Sequence, residues 1–172
     1  MNLNYYFLIF IILLTISCRQ GNTNADTAQK CKYGAPKAIF FDETPGISNH
    51  SFSINQNEGT EKLRLDMGVD LTIIQSGCNN IRQEFQFLIP GKDFQAKEPA
   101  FWVVLATELL ATLGRLGPDY AGFSAYAQAI ESVASEIKLA ETFELQQGFY
   151  VSIDRILGTE NATLVLTFSD QP

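Results

Sequence analysis

The side chains able to carry chemistry are few and scattered. One histidine, His50, and three cysteines, Cys18, Cys31 and Cys78, are the whole stock of imidazole and thiol in 172 residues. Nucleophilic catalysis by a triad needs a base close to its nucleophile, and the G-x-S-x-G elbow that often presents a serine does not occur. His50 falls in the polar run 46–51 and reads as a surface-loop histidine. No two cysteines have the short C-x₂₋₄-C spacing of a zinc site and the one histidine lies apart from them, so no metal is expected. Asp66 and Asp70 are a possible acid–base pair. Four residues apart on an extended strand, they would share a face at about 13 Å, too far for a common proton or ion. Lys62 and Arg64 fall on that same face, which points to a solvated sheet surface. Asp42, Glu43 and Asp119 stand alone. No D-x-D-x-D-G loop, Walker pattern or dinucleotide glycine pattern occurs, so no cofactor is implied.

Two aromatic side chains are more suggestive. In the run 117–126 (GPDYAGFSAY), Phe123 and Tyr126 fit a helical core stripe, but Tyr120 falls off it between Pro118 and Gly122. Trp102 lies off the main stripe of the preceding helix. Tyr and Trp are enriched at binding hot spots because each brings a large apolar area with a polar tip. Trp102 and Tyr120 are therefore a candidate binding surface. The plainer alternative is that both cap the interface between helices and sheet.

The elements that must position these residues follow from periodicity. Residues 38–42 (AIFFD) read as a first strand and 51–55 as a second, with Phe52 and Ile54 on one face. Between 62 and 73, Leu63, Leu65, Met67, Val69, Leu71 and Ile73 alternate with mostly polar residues, which predicts one long strand with a wet face. Ile81, Phe85, Phe87 and Ile89 share a face of the next strand. Phe101, Leu105, Leu109, Leu113 and Leu116 recur at helical spacing behind Pro99, with Ala106 and Leu110 widening the stripe, and Phe123, Tyr126, Ala127, Ile130, Val133, Ala134 and Ile137 trace a second helical stripe. Asp119 or Ser124 is placed to cap that second helix. Strand patterning resumes with Phe143 and Leu145 leading into Phe149, Val151 and Ile153. The last strand carries Leu164, Leu166 and Phe168. The expected fold is α+β: an antiparallel sheet in the order β-β-β-β-α-α-β-β with a two-helix hairpin packed on one face.

The first 17 residues contain no charged side chain, and YYFLIFIILL (residues 5–14) is an unbroken apolar run. As a helix it rises about 15 Å, half of what a bilayer core of about 30 Å requires, which suits the apolar region of an export signal. The run ends in Leu14-Thr15-Ile16-Ser17-Cys18. A small residue directly before a cysteine at this place resembles the lipobox of bacterial lipoproteins, in a relaxed form similar to that of Bacteroidota, with Thr15 where Leu, Val or Ile is usual. The resemblance implies a signal peptide at 1–17, cleavage before Cys18, lipidation of Cys18 and membrane attachment through that lipid. Arg19, rather than Asp, follows the cysteine, and by the same resemblance leans to the outer membrane. Residues 18–30 then form the lipidated cysteine and a flexible polar tether, and 31–172 a single α+β domain. Export to an oxidising compartment leaves Cys31 and Cys78 as an even pair, and a disulfide between them is expected; two buried free thiols are the alternative. The loop so closed is worth about 4 kcal/mol in the chain-entropy model.

Composition bounds the partners. Hydrophobic residues at 46% and charged residues at 18% allow a packed core and exclude wholesale disorder. Twelve Lys and Arg against nineteen Asp and Glu leave a net charge of −7, which disfavours nucleic acid as a partner. The reading is a lipid-anchored, non-enzymatic envelope domain that binds a protein, with a cationic protein as the candidate partner. The alternatives are an envelope enzyme acting on glycan through carboxylates that meet only in three dimensions, and a structural subunit of an envelope complex.

Overall fold

The computed structural model describes residues 32–76 and 79–172. Cys18, Cys31, Cys78 and the whole of segment 1–30 lie outside the described residues. Seven strands form one antiparallel sheet in the order β1-β2-β3-β4-β7-β6-β5. They are β1 (Ile47–Asn55), β2 (Glu58–Leu65), β3 (Asp70–Ser76), β4 (Arg82–Pro90), β5 (Thr142–Gln146), β6 (Phe149–Leu157) and β7 (Asn161–Ser169). Between β4 and β5 the chain builds α1 (Pro99–Gly114) and α2 (Ala121–Ser132), a helical hairpin packed on one face. The α+β class, the antiparallel sheet and the one-sided helices are therefore as the patterning indicates.

One face of the sheet is the core. Leu63, Leu65, Leu71, Ile73, Phe85, Phe87, Val151, Ile153, Leu164, Leu166 and Phe168 are all buried there. The opposite face is largely polar, with Ser51, Lys62, Thr72, Gln86 and Asp154 aligned with Val165 across six strands, although Leu88 and Ile156 are exposed on it too. This division is the physical content of the period-two pattern: successive side chains point to opposite sides.

Strand boundaries depart from expectation in three places. The alternating run 62–73 is a hairpin, not a single strand. Gly68 N–H donates to Leu65 O at 2.8 Å, and Gly68 takes φ +85°, a left-handed conformation that glycine adopts without strain. Leu63 pairs with Leu71, so partners have equal parity and the alternation runs unbroken through the turn. Asp66 therefore sits in the turn and Asp70 on β3, where it meets Arg64 at 3.1 Å, instead of both lying along one strand. The segment 143–153 likewise divides into β5 and β6 about a tight turn at Gly148. Residues 38–42 form no strand at all. The first strand instead begins at Ile47, which takes His50 out of a loop and into β1.

The helices also shift. In α1 the buried stripe is Trp102, Val103, Ala106, Leu109, Leu110 and Leu113: the last four are as expected, but the first turn is rotated, burying Trp102 and Val103 in place of Phe101 and Leu105, because α1 packs on both α2 and the sheet. The second helix ends at Ser132, and neither Asp119 nor Ser124 caps it with a side-chain hydrogen bond.

Residues 33–44 lie across the core face at the β2–β4 side as a strap. Gln75 Nε2–H donates to Lys37 O at 2.7 Å, and Tyr33 O–H donates to Asp170 at 3.0 Å. Gly59 permits the close passage, since a Cβ there would fall 2.6 Å from Pro36 Cβ.

Candidate functional site

Glu61 occupies a core-facing position of β2, two residues before Leu63, and its side chain is wholly buried. A buried carboxylate needs donors on the spot, because its transfer from water is costly. The strap supplies two of them. Ile39 N–H donates to Glu61 Oε2 at 2.8 Å and Phe40 N–H to Oε1 at 2.8 Å. These are the backbone groups that a first strand at 38–42 would have paired with a neighbouring strand. Here a single carboxylate takes the place of that neighbour.

The third donor is His50. Its Nε2 lies 2.8 Å from Glu61 Oε1 and its Nδ1 lies 2.6 Å from Asp42 Oδ1, with the imidazole only 10% exposed. His50 is thus no free surface-loop histidine, and Asp42 does not stand alone. Burial opposes charging the ring, but hydrogen bonds and attraction from Asp42 and Glu61 outweigh it, and the His50 pKa is raised above its ordinary 6.5. Neutral imidazole would turn a lone pair toward one of the two carboxylates, so the imidazolium is the form that fits.

This fixes a sign. A raised folded-state pKa gives stability that is fully present below about pH 6.5 and is lost as pH rises through the folded value. As His50 is the only histidine, its ring-proton NMR titration is unambiguous. The expected midpoint lies above 6.5, and the urea midpoint of unfolding falls across that same window in wild type but not in His50→Gln. A His50 midpoint at or below 6.5 contradicts the account.

The strap is held at its other end by Thr44. Phe41 N–H donates to Thr44 Oγ1 at 3.2 Å, and the buried Thr44 Oγ1 and Tyr120 OH lie 2.8 Å apart. Between the two ties Phe40 is driven into the core, its ring 4.8 Å from Tyr120 and stacked 6.0 Å from Phe123. Its neighbour Ile39 is half-buried against the edge of that core, and Phe41 is 59% exposed.

The result is a cleft of about 560 Å³ between strap and helical hairpin. Ile39 and Phe41 form one wall. Tyr120, Phe123 and Tyr126 form the other, and Gln83 and Asp119 supply the polar lining. Ligand sites are typically of this size, largely apolar and set with a few polar groups. Tyr120 is positioned by the single helical turn Pro118–Tyr120 that joins the helices, and it is 8% exposed. It borders the cleft as a buried ring braced by Thr44, not as an exposed contact.

Trp102 is not part of any surface. It is fully buried on α1, against Phe94, Phe101 and the guanidinium of Arg155 at 5.7 Å, and its Nε1–H finds no partner among the described residues. The stripe rotation described above turns it inward. Of the two aromatic candidates only Tyr120 reaches the cleft. Phe41, Phe123, Asp119 and the His50–Glu61 brace were not singled out as a site by sequence reasoning. An acidic residue in core register was the available signal for Glu61.

The chemistry open to this arrangement is restricted. Both nitrogens of the only imidazole are engaged by carboxylates, and the position a nucleophile would occupy in a triad is taken by Glu61. Among the described residues no group of three His, Cys, Asp or Glu is disposed to hold a metal. Asp119 is the one charged residue lining the cleft. No protein-family model, curated protein or solved structure matches this chain.

Proposed function

We propose that the chain is a non-enzymatic binding module, anchored by lipid at Cys18 in a bacterial envelope, which holds a protein partner at the aromatic cleft. The observation that carries this reading is how the only histidine is used. His50 braces Glu61 and the strap, so the molecule spends its one good general base on holding a wall of the cleft in place. A pre-organised wall favours binding, because less conformational entropy is lost on association. Net charge supports a cationic partner, and Arg19 supports the outer membrane.

The reading includes the disulfide between Cys31 and Cys78. The support for it is the even pair of thiols left once Cys18 carries the lipid. Intact mass spectrometry of the full chain purified from membranes without reductant tests anchor and bridge together. The expected mature chain starts at a diacylated Cys18 and has no free thiol. A chain that retains its initiator methionine, or that carries two alkylatable thiols, overturns the corresponding part. For the binding role, a lysine-rich basic protein titrated onto the immobilised chain is expected to bind more weakly as salt rises. An absence of binding at low salt refutes the role.

A further inference from the structure

The lining of the cleft points to the chemistry of its occupant. Aromatic rings dominate it: Phe41 on the strap, Phe123 and Tyr126 on α2, with Tyr120 at the base. The faces of such rings carry negative electrostatic potential, and they attract organic cations placed over them. Asp119, exposed at the start of the hairpin turn, adds the one formal charge, which is negative. Gln83 adds an amide that can accept a hydrogen bond. No Lys or Arg lines the cleft among the described residues, although both occur elsewhere on the domain. An anion would meet no cationic side chain among the lining residues and would be repelled by Asp119. A purely apolar guest would leave Asp119 and Gln83 without use.

We infer that the cleft is an aromatic cage for an organic cation, and that its occupant is a Lys or Arg side chain of a basic protein partner. This rests on the binding role proposed above and specifies it. The alkyl stem of such a side chain packs against Ile39 and Phe41 while its charged head lies among the rings near Asp119, the division of labour that long cationic side chains favour. The latch behind the strap matters because a cage binds only while its rings keep their spacing, and Phe41 is held by the backbone bonds of its neighbour Phe40 to Glu61 and by its own to Thr44.

The test is a titration of the full chain, in non-ionic detergent, with Nα-acetyl-lysine amide and Nα-acetyl-arginine amide. Nα-acetyl-norleucine amide serves as the uncharged analogue, and binding is followed by NMR shifts of Phe41, Asp119 and Phe123. The cations are expected to bind about tenfold more tightly than norleucine amide. Asp119→Asn and Phe41→Ala are each expected to weaken the cations about three- to fivefold, with little effect on norleucine amide for the first. Both positions are exposed, so neither variant threatens folding. Equal binding of norleucine and lysine amides overturns the cage. So does cation binding that ignores both substitutions, or no shift at all. The basic-protein titration separates this outcome from the function. Protein binding that is undiminished in Phe41→Ala and Asp119→Asn leaves the binding role standing without the cage. Amide binding in the cleft without protein binding does the reverse.

Discussion

Glu61→Gln should lower stability by about 3 kcal/mol, whereas Asp42→Asn, which removes the other carboxylate from the same imidazole, should cost less than about 1 kcal/mol. The difference lies in solvent. Glu61 is wholly buried and accepts from Ile39 N–H, Phe40 N–H and His50. A glutamine amide keeps the shape, but one of its ends now presents N–H to a backbone N–H, and the imidazolium loses its buried counter-charge. Removing one member of a buried pair typically costs about 3–5 kcal/mol for this reason. Asp42 is 78% exposed, and water and salt screen what it contributes. In a chain of this size the Glu61 loss amounts to a fall of roughly 10 °C in Tm. Thermal unfolding followed by circular dichroism reads both variants. Hydrogen exchange supplies the local signature: the Ile39 and Phe40 amides should lose protection in Glu61→Gln before the sheet amides do. Equal losses for the two carboxylates, or protected Ile39 and Phe40 amides in Glu61→Gln, would show that the strap is held by something else.

The second large effect comes from a substitution that helix propensity calls favourable. Gly114 closes α1 where the hairpin turns, and a Cβ there would lie 2.0 Å from Ser124 Oγ and 2.6 Å from Ser124 N on α2. Gly→Ala within a helix ordinarily stabilises by up to about 1 kcal/mol. Overpacking against backbone costs about 1–3 kcal/mol or more, since the two helices must separate. The clash wins, and Gly114→Ala should destabilise by about 2 kcal/mol. Ser124→Gly in the same chain should restore only part of this, because it removes Oγ and Cβ but leaves the nitrogen in place. Gly122→Ala is the control. Gly122 is in α2, has nothing within 4 Å of its would-be Cβ, and should gain about 0.5–1 kcal/mol from the same change. Urea denaturation of the three variants decides the matter. A stabilised Gly114→Ala would mean that the hairpin packs less closely than its geometry indicates.

The proposed role depends on both features. The close helix crossing at Gly114 and Ser124 sets where Tyr120, Phe123 and Tyr126 stand. The Glu61 brace sets where Ile39 and Phe41 stand. The cleft lies between them, so a lesion in either should weaken a guest without touching it. Such variants separate positioning from contact: they should raise Kd for the lysine and norleucine amides alike, whereas Asp119→Asn should affect the cation alone.

Much of the architecture is legible in the amino-acid sequence. Leu71, Ile73, Phe85, Phe87, Leu164 and Leu166 fall at a period of two, and Ala106, Leu109, Leu110 and Leu113 at that of a helix. Each period is set by backbone geometry within a few residues, so it survives in the sequence as a local mark of which face is apolar. The fold class followed from where the marks change. What the marks could not carry was where a strand turns back. The pairing of Leu63 with Leu71 has even parity, so alternation crosses the hairpin without a break, and only the glycine at 68 marks the turn locally.

The site was less legible, and for a different reason. His50 looked like a loop residue, Asp42 a lone acid and residues 38–42 a strand. Their roles depend on Glu61, which reaches them only because the strap crosses over β2. Glu61 does bear one local sign, an acid at a core parity, but nothing near it in the chain says which donors will come. Trp102 was misplaced because a helix enclosed by both a sheet and a second helix buries more than one stripe, and the partner that adds the second face lies beyond a turn. Period is a property of a segment, whereas the partner of a buried charge, or the wall of a cleft, is a property of two segments brought together. Folding alone chooses that second segment.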